Sequence, residues 1–364
     1  MSQKKKTSQK AVSHRTGAEV KAPASPPTEE QKRTGKKVKQ NSVLLFLSCL
    51  IAMLAIFGAR WVWAIMEEYY SAFVLRNSYS VTEAVDCMKG LDLSEEESAA
   101  LLPLQQEWDL FTSARLRDEV TTTARDGVQL HGYLYNEGSD ITVVVLPRFD
   151  QDGTDDFLPG TWLNERTGCN ILLPDPRNHG ESGGASFTFG HLEQQDLVCW
   201  LEWAEETLGD QTFILWGEGV GANTILFAEA SGLLPDSVAF AVAESPYASL
   251  HELASRQIWK WYTIPSFPFL NAIEWKVNHE DNGFKMKDTN LGDALEGADC
   301  ELPVLCLEST VDEYILPEWS QEVYTLYSGE KQRISGGLGH GTVYANCQEN
   351  VQAVVSGWID SYIG

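Results

Sequence analysis

The chain has 364 residues, enough for one large or two ordinary domains, and its 43% hydrophobic content supplies material for a sizeable core. Its 27 basic and 52 acidic side chains give a net charge of −25, unevenly spread: residues 1–42 hold eleven Lys and Arg against three Glu (+8), leaving 16 against 49 (−33) for the rest. A main domain this acidic repels phosphates, which excludes nucleic acid as its partner.

In chain order, the basic, Ser/Pro/Gln-rich arm of residues 1–42 has almost no large apolar side chain and reads as a disordered segment. The run Val43 to Met66 follows at once, with seventeen uncharged residues before Arg60 and an interfacial pair in Trp61 and Trp63. That pattern predicts a single-pass transmembrane helix over 43–66. No small-residue cleavage site of the A-x-A kind follows, which points to an uncleaved anchor rather than a removed signal peptide. Basic residues before the run and Glu67 and Glu68 after it place the N-terminus in the cytoplasm and the acidic domain outside the cell membrane. Among seven scattered cysteines none has metal-ligand spacing, and Cys300 with Cys306 is the nearest pair if any disulfide forms. The sequence calls for no metal and no cofactor.

Residues 67–117 read as a helical stem joining anchor to domain, broken by a polar stretch around Gly90 to Ser94. Residues 118–364 form the main domain. It begins with two β-rich runs joined at Asp126-Gly127, a hairpin signal. Short apolar strands then alternate with helices: Ile141 to Pro147, Asn170 to Asp175, a helix over Leu192 to Leu208, strands at Thr212 to Trp216, Val238 to Ser245 and Leu302 to Ser309, and helices at Val220 to Glu229, Glu318 to Tyr327 and Glu349 to Tyr362. Such alternation predicts an α/β domain with a mostly parallel sheet and helices on both faces. An aromatic insert over residues 247–299, with Trp259, Trp261, Phe267 and Trp275, reads either as packed structure or as a lid over a pocket.

Five motifs fall in order: DPRNHGES (Asp175 to Ser182), TFGHLEQQD (Thr188 to Asp196), GEGVGA (Gly217 to Ala222), STVDEYILP (Ser309 to Pro317) and GGLGHGTVY (Gly336 to Tyr344). Together they resemble the alpha/beta-hydrolase superfamily, in particular its bacterial branch of membrane-anchored, extracytoplasmic esterase or peptidase-like hydrolases. The resemblance covers roughly Val120 to Ile363. It implies the alpha/beta-hydrolase fold, with Asp312 at the acid position, His340 at the histidine position, and Val220 with Arg148 as backbone oxyanion donors. Asp175, Arg177 and His179 read as a loop-fixing polar cluster, with Glu193 and Asp196 as its partners on the next helix.

Two departures bear on activity. The nucleophile position of G-x-S-x-G is Gly219, and the His-Gly turn after the first parallel strand reads Leu146-Pro147-Arg148-Phe149, where Pro147 has no N–H to donate. Glycine reaches the strained elbow conformation without a Cβ penalty, so it keeps the corner while deleting the chemistry. In a serine protease, loss of the serine lowers turnover on the order of 10⁶-fold. Glu218 and Ser245 are the nearby substitutes to weigh, although Glu218, one position early, is expected to point away from the oxyanion corner.

Two functions therefore stand side by side. One is a catalytically degenerate hydrolase, a pseudoenzyme acting as a binding or scaffolding module. The other is an active hydrolase of small-molecule esters, lipids or peptides, using Asp312 and His340 with a non-serine nucleophile or an activated water. No protein partner can be named from the sequence.

Overall fold

A computed structural model describes residues 26–75, 94–149, 151–280 and 283–364. Residues 1–25 of the basic arm, Cys87 and the polar break at residues 90–93 lie outside the described residues. The chain divides into two compact units after Ala59.

Helix α1 spans Glu29–Tyr70. Its start is a reciprocal cap, in which Gln31 N donates to Thr28 Oγ1 (3.4 Å) and Thr28 N to Gln31 Oε1 (3.0 Å). Residues 29–42, expected to be disordered, are therefore helical: the cap and a run of Lys, Gln and Glu outweigh the absence of apolar side chains. Among the described residues one helix is long and apolar enough to cross a membrane, and its most apolar stretch is unburied.

The domain is built on a sheet of eight strands: β1 (Asp118–Thr123), β2 (Gln129–Tyr135), β3 (Ile141–Leu146), β4 (Asn170–Pro174), β5 (Thr212–Glu218), β6 (Val238–Glu244), β7 (Val304–Ser309) and β8 (Lys331–Gly336). Their order is β1-β2-β4-β3-β5-β6-β7-β8. The β1–β2 hairpin turns at Asp126-Gly127, β1–β2 and β2–β4 pair antiparallel, and the other five pairings are parallel. Strand β8, KQRISG, carries no apolar run, because an edge strand has one side free for Lys and Arg. The sequence reading missed it for that reason.

Alternation along the strands divides the core. On one face Val144, Phe213 and Leu215 pack against Trp200 and Leu201 of α4 (Glu193–Leu208), Ile225 and Leu226 of α5 (Val220–Ala230), and Val323 of α9 (Pro317–Leu326). On the other face Val143, Ile214 and Trp216 meet α2 (Glu95–Ser113), α3 (Gly160–Thr167) and α10 (Val343–Trp358), through Leu104, Trp108, Leu163 and Val355. Of the stretch read as a connecting stem, residues 67–70 end α1, Ser71–Leu75 form a π-helical turn, and Glu95–Ser113 is helix α2. It is opened by a Ser94–Glu97 capping box and buries Leu104, Trp108 and Phe111 in the core of the domain. The final helix begins at Val343, six residues earlier than its apolar spacing suggested.

A third cluster lies apart from these two. It joins Ile65, Met66, Tyr69, Phe73 and Val74 to Phe149, Val220 and Ile315 and to the insert, which folds as α6 (Leu250–Tyr262), α7 (Phe269–His279), a 3₁₀ turn (Met286–Thr289) and α8 (Leu291–Leu295).

Because Trp108 is 4% exposed while Leu110 on the same helix is 72% exposed, the two substitutions should separate. Trp108→Ala is expected to destabilise the domain by about 3–5 kcal/mol, and Leu110→Ala to stay within about 0.5 kcal/mol of wild type. Chemical denaturation of both variants tests whether α2 belongs to the folded core.

Candidate functional site

The corner between β5 and α5 is set by contact distances. A Cβ on Gly221 would lie 2.0 Å from the Leu146 carbonyl oxygen, so only glycine lets α5 start this close to the end of β3. Gly219 occupies φ 56°, ψ −113°, in the region that favours glycine. A Cβ there would meet only ordinary contacts, Arg148 Cβ at 3.6 Å and Ile315 Cδ1 at 3.7 Å. The elbow geometry is thus present, with space for a side chain it does not carry. Val220, the first residue of α5, has an N–H without an intrahelical partner and lies at the corner where an oxyanion donor would sit.

His340 Nδ1 lies 2.7 Å from Asp312 Oδ2, and both side chains are almost fully buried. The carboxylate is fixed on its other oxygen, Oδ1, which accepts from Tyr314 N (2.7 Å) and Ile315 N (2.9 Å). The histidine loop is held by Thr342 Oγ1, which accepts from Leu338 N and Gly339 N, and the Tyr314 ring lies 5.0 Å from the imidazole. Burial alone would lower the imidazole pKa, but the carboxylates of Asp312 and, further off, Glu218 outweigh it and hold His340 above its ordinary value.

Arg148 joins these two halves. Its Cβ sits at the elbow, and its guanidinium Nη1 bonds Glu218 Oε1 (3.0 Å). A Cβ on Gly341 would lie 2.7 Å from both of those atoms, so the ion pair is directly under the histidine loop. The expectation that Glu218 points away from the corner is corrected: its carboxylate lines the cavity, drawn there by Arg148. Glu244, opposite Glu218 in the β5–β6 register, faces the same cavity. Its burial, with repulsion from Glu218 second, pushes its pKa up to about 8. The sequence signal for Glu244 was an acid closing an apolar strand beside another that does the same.

The cavity has a volume of 460 Å³ and is mostly apolar. One wall is Tyr69, Phe73 and Val74, and another is the insert, through Tyr247, Leu253 and Ile273. No serine, threonine or cysteine lines it among the described residues. Ser245 is not brought to it: the residue is 1% exposed at φ 49°, and its hydroxyl is buried without a hydrogen-bond partner. Cys300 and Cys306 are free thiols, with Cys306 held in β7, so the nearest pair in sequence is not bridged.

The polar cluster supports the loops around the site. Arg177 makes a two-pronged pair with Asp196 (2.7 and 2.6 Å) and reaches Asp126 (2.9 Å). Asp175 accepts from Gly153 N and Glu181 N and contacts His131. Glu193 accepts from Thr188 and Gly190, closing the turn into α4. His179 Nε2 lies 2.9 Å from the Phe149 carbonyl, which ties this cluster to the loop carrying Arg148. Among the described residues no group of three or more His, Cys, Asp or Glu is placed to hold a metal ion.

A family model described as the alpha/beta hydrolase fold matches residues 158–263. This chain has the alpha/beta-hydrolase fold. It is similar to the esterase Pf2001 of Pyrococcus furiosus, with a TM-score of 0.55 and 19% identity over 69% of this chain and 94% of that one. It is also similar to the alpha/beta hydrolase GrgF of Penicillium sp. sh18, with a TM-score of 0.51 and 19% identity over 68% and 99%. At those identities the likeness is one of fold. The uncharacterized protein YqkD of Bacillus subtilis (strain 168) is 26% identical over 196 residues, which are 53% of this chain and 63% of that protein. The chain thus spans less than two thirds of the length of that relative.

The buried acid gives a pH signature. Glu244 ionises near 4.5 in the unfolded chain but keeps its proton to about 8 in the alpha/beta-hydrolase domain, so the native state binds more protons in between. The stability this confers is complete below 4.5 and is lost as pH rises through 8. His340, raised above 6.5, adds to the loss only above that value. Calorimetry should show the Tm difference between wild type and Glu244→Gln changing steadily from pH 5 to 8, to the disadvantage of wild type; a pH-independent difference would contradict the burial of an acid at this position.

Proposed function

We propose that this is a membrane-anchored protein whose alpha/beta-hydrolase domain binds a small, largely apolar ligand without serine-type turnover. The observation that carries the reading is the absence of any Ser, Thr or Cys among the described residues lining the cavity beside His340. In serine hydrolases the histidine takes a proton from the nucleophile it touches. Here the Arg148 side chain runs from the elbow to the histidine loop, where its guanidinium pairs with Glu218.

The alpha/beta-hydrolase frame is otherwise retained, with Asp312 as the acid, His340 as the histidine, Gly219 as the vacated position, and Val220 with the Arg148 backbone as oxyanion donors. The anchor reading rests on α1 and on the charge asymmetry around it, with the N-terminus in the cytoplasm and the acidic domain outside. A scaffolding role toward another protein fits the same frame. Hydrolysis by a water activated at His340 is the second reading, favoured by the 2.7 Å Asp312 contact that keeps the imidazole oriented.

Fluorophosphonate labelling tests the vacated site. Wild type is expected to remain unlabelled, whereas Gly219→Ser combined with Arg148→Ala gains labelling that a further His340→Ala removes. Labelling of wild type would contradict the proposal. For topology, protease added to intact cells should cut within the acidic domain and spare the basic arm; the reverse pattern would overturn the orientation.

A further inference from the structure

Helix α6 turns Leu250, Leu253, Ala254 and Ile258 into the core at helical spacing, and Gln257 lies on the same face. Gln257 is 2% exposed, and neither Nε2 nor Oε1 has a hydrogen-bond partner. It also lines the cavity. Its neighbours along the helix, Leu250, Leu253 and Ala254, are cavity-lining too and offer no side-chain donor or acceptor. A carboxamide has two donors and an acceptor oxygen with two lone pairs, and folding leaves such a group dry and unpaired only at a penalty. That penalty is relieved if the partner arrives with the occupant of the cavity.

We infer that the cavity binds a single-chain amphiphile whose uncharged head, offering both a donor and an acceptor, pairs with the Gln257 carboxamide. The inference rests on the proposed binding role of this cavity and names the class of ligand it takes. An ionised head is disfavoured at Gln257, because the cavity-lining positions beside it on the helix, Leu250, Leu253 and Ala254, are aliphatic. A primary amide or a comparable neutral group completes two hydrogen bonds with the side chain. The apolar body then lies against Tyr69, Phe73 and Val74, residues only a few positions beyond the apolar run that ends at Met66. At 460 Å³ the cavity is toward the small end of ligand pockets, which span roughly 300–1,000 Å³, and suits one short chain rather than a two-tailed lipid.

The test uses the full chain in lipid nanodiscs and two probes of equal heavy-atom count, n-decanamide and undecan-2-one, which differ by an NH₂ in place of a CH₃. Thermal stability measured against probe concentration gives an apparent Kd for each by mass action. Wild type is expected to bind the amide about tenfold more tightly than the ketone. Gln257→Leu should abolish that preference while binding the ketone at least as tightly as wild type does, and Gln257→Met, closer in shape, should do the same. A tenfold preference that survives in both variants would overturn the assignment of Gln257 and leave the cavity as a binding site. Equal binding of both probes to wild type would also overturn it. Failure of either probe to stabilise any of the three proteins would overturn the binding role of the cavity itself.

Discussion

The close approach of α5 to the end of β3 constrains everything around it. With the Leu146 carbonyl 2.0 Å from where a Gly221 Cβ would stand, the chain must leave β5, turn within two residues and start a helix over the sheet edge. That turn forces Gly219 to a positive φ and aims its Cα at the space between Arg148 and Ile315. The same turn makes Val220 the first residue of α5. A serine in place of Gly219 would be the nucleophile of a hydrolase; a glycine satisfies the backbone just as well and supplies no oxygen. The shape of the corner is thus a property of packing.

Charged side chains crowd the cavity beside Gly219. Arg148 sits among Glu218, Glu244 and the His340–Asp312 pair, so one guanidinium faces two carboxylates from adjacent strands and a histidine held above its ordinary pKa. Glu244 resolves the crowding by keeping its proton. An acyl-transfer site instead keeps this region open for a carbonyl oxygen approaching backbone donors. The Asp312–His340 pair lies beside this charged network under the histidine loop. Fold does not decide between the two uses.

Much of this was legible in the sequence, for definite reasons. Strands β3 to β7 are apolar on both faces because helices cover both, and that pattern survives without any knowledge of their neighbours. The glycine spacing from Gly217 to Gly221 reported a tight corner directly. Strand β8 was invisible because an edge strand can be polar, and the role of α2 was misread because helical spacing shows an apolar face without showing what covers it. The direction of Glu218 depended on Arg148, seventy residues away, and the cavity wall at Tyr69, Phe73 and Val74 depended on the packing of the segment after the apolar run against an insert nearly two hundred residues later. Gln257 carried no signal at all, since a glutamine on an amphipathic helix is ordinarily solvated.

The most direct test of the vacated-site account is turnover of a graded series of nitrophenyl esters by purified wild type and by His340→Ala. The account predicts that both hydrolyse every ester at the same background rate. Wild-type turnover that His340→Ala abolishes would contradict it, and would require a non-serine nucleophile or a water activated by the histidine.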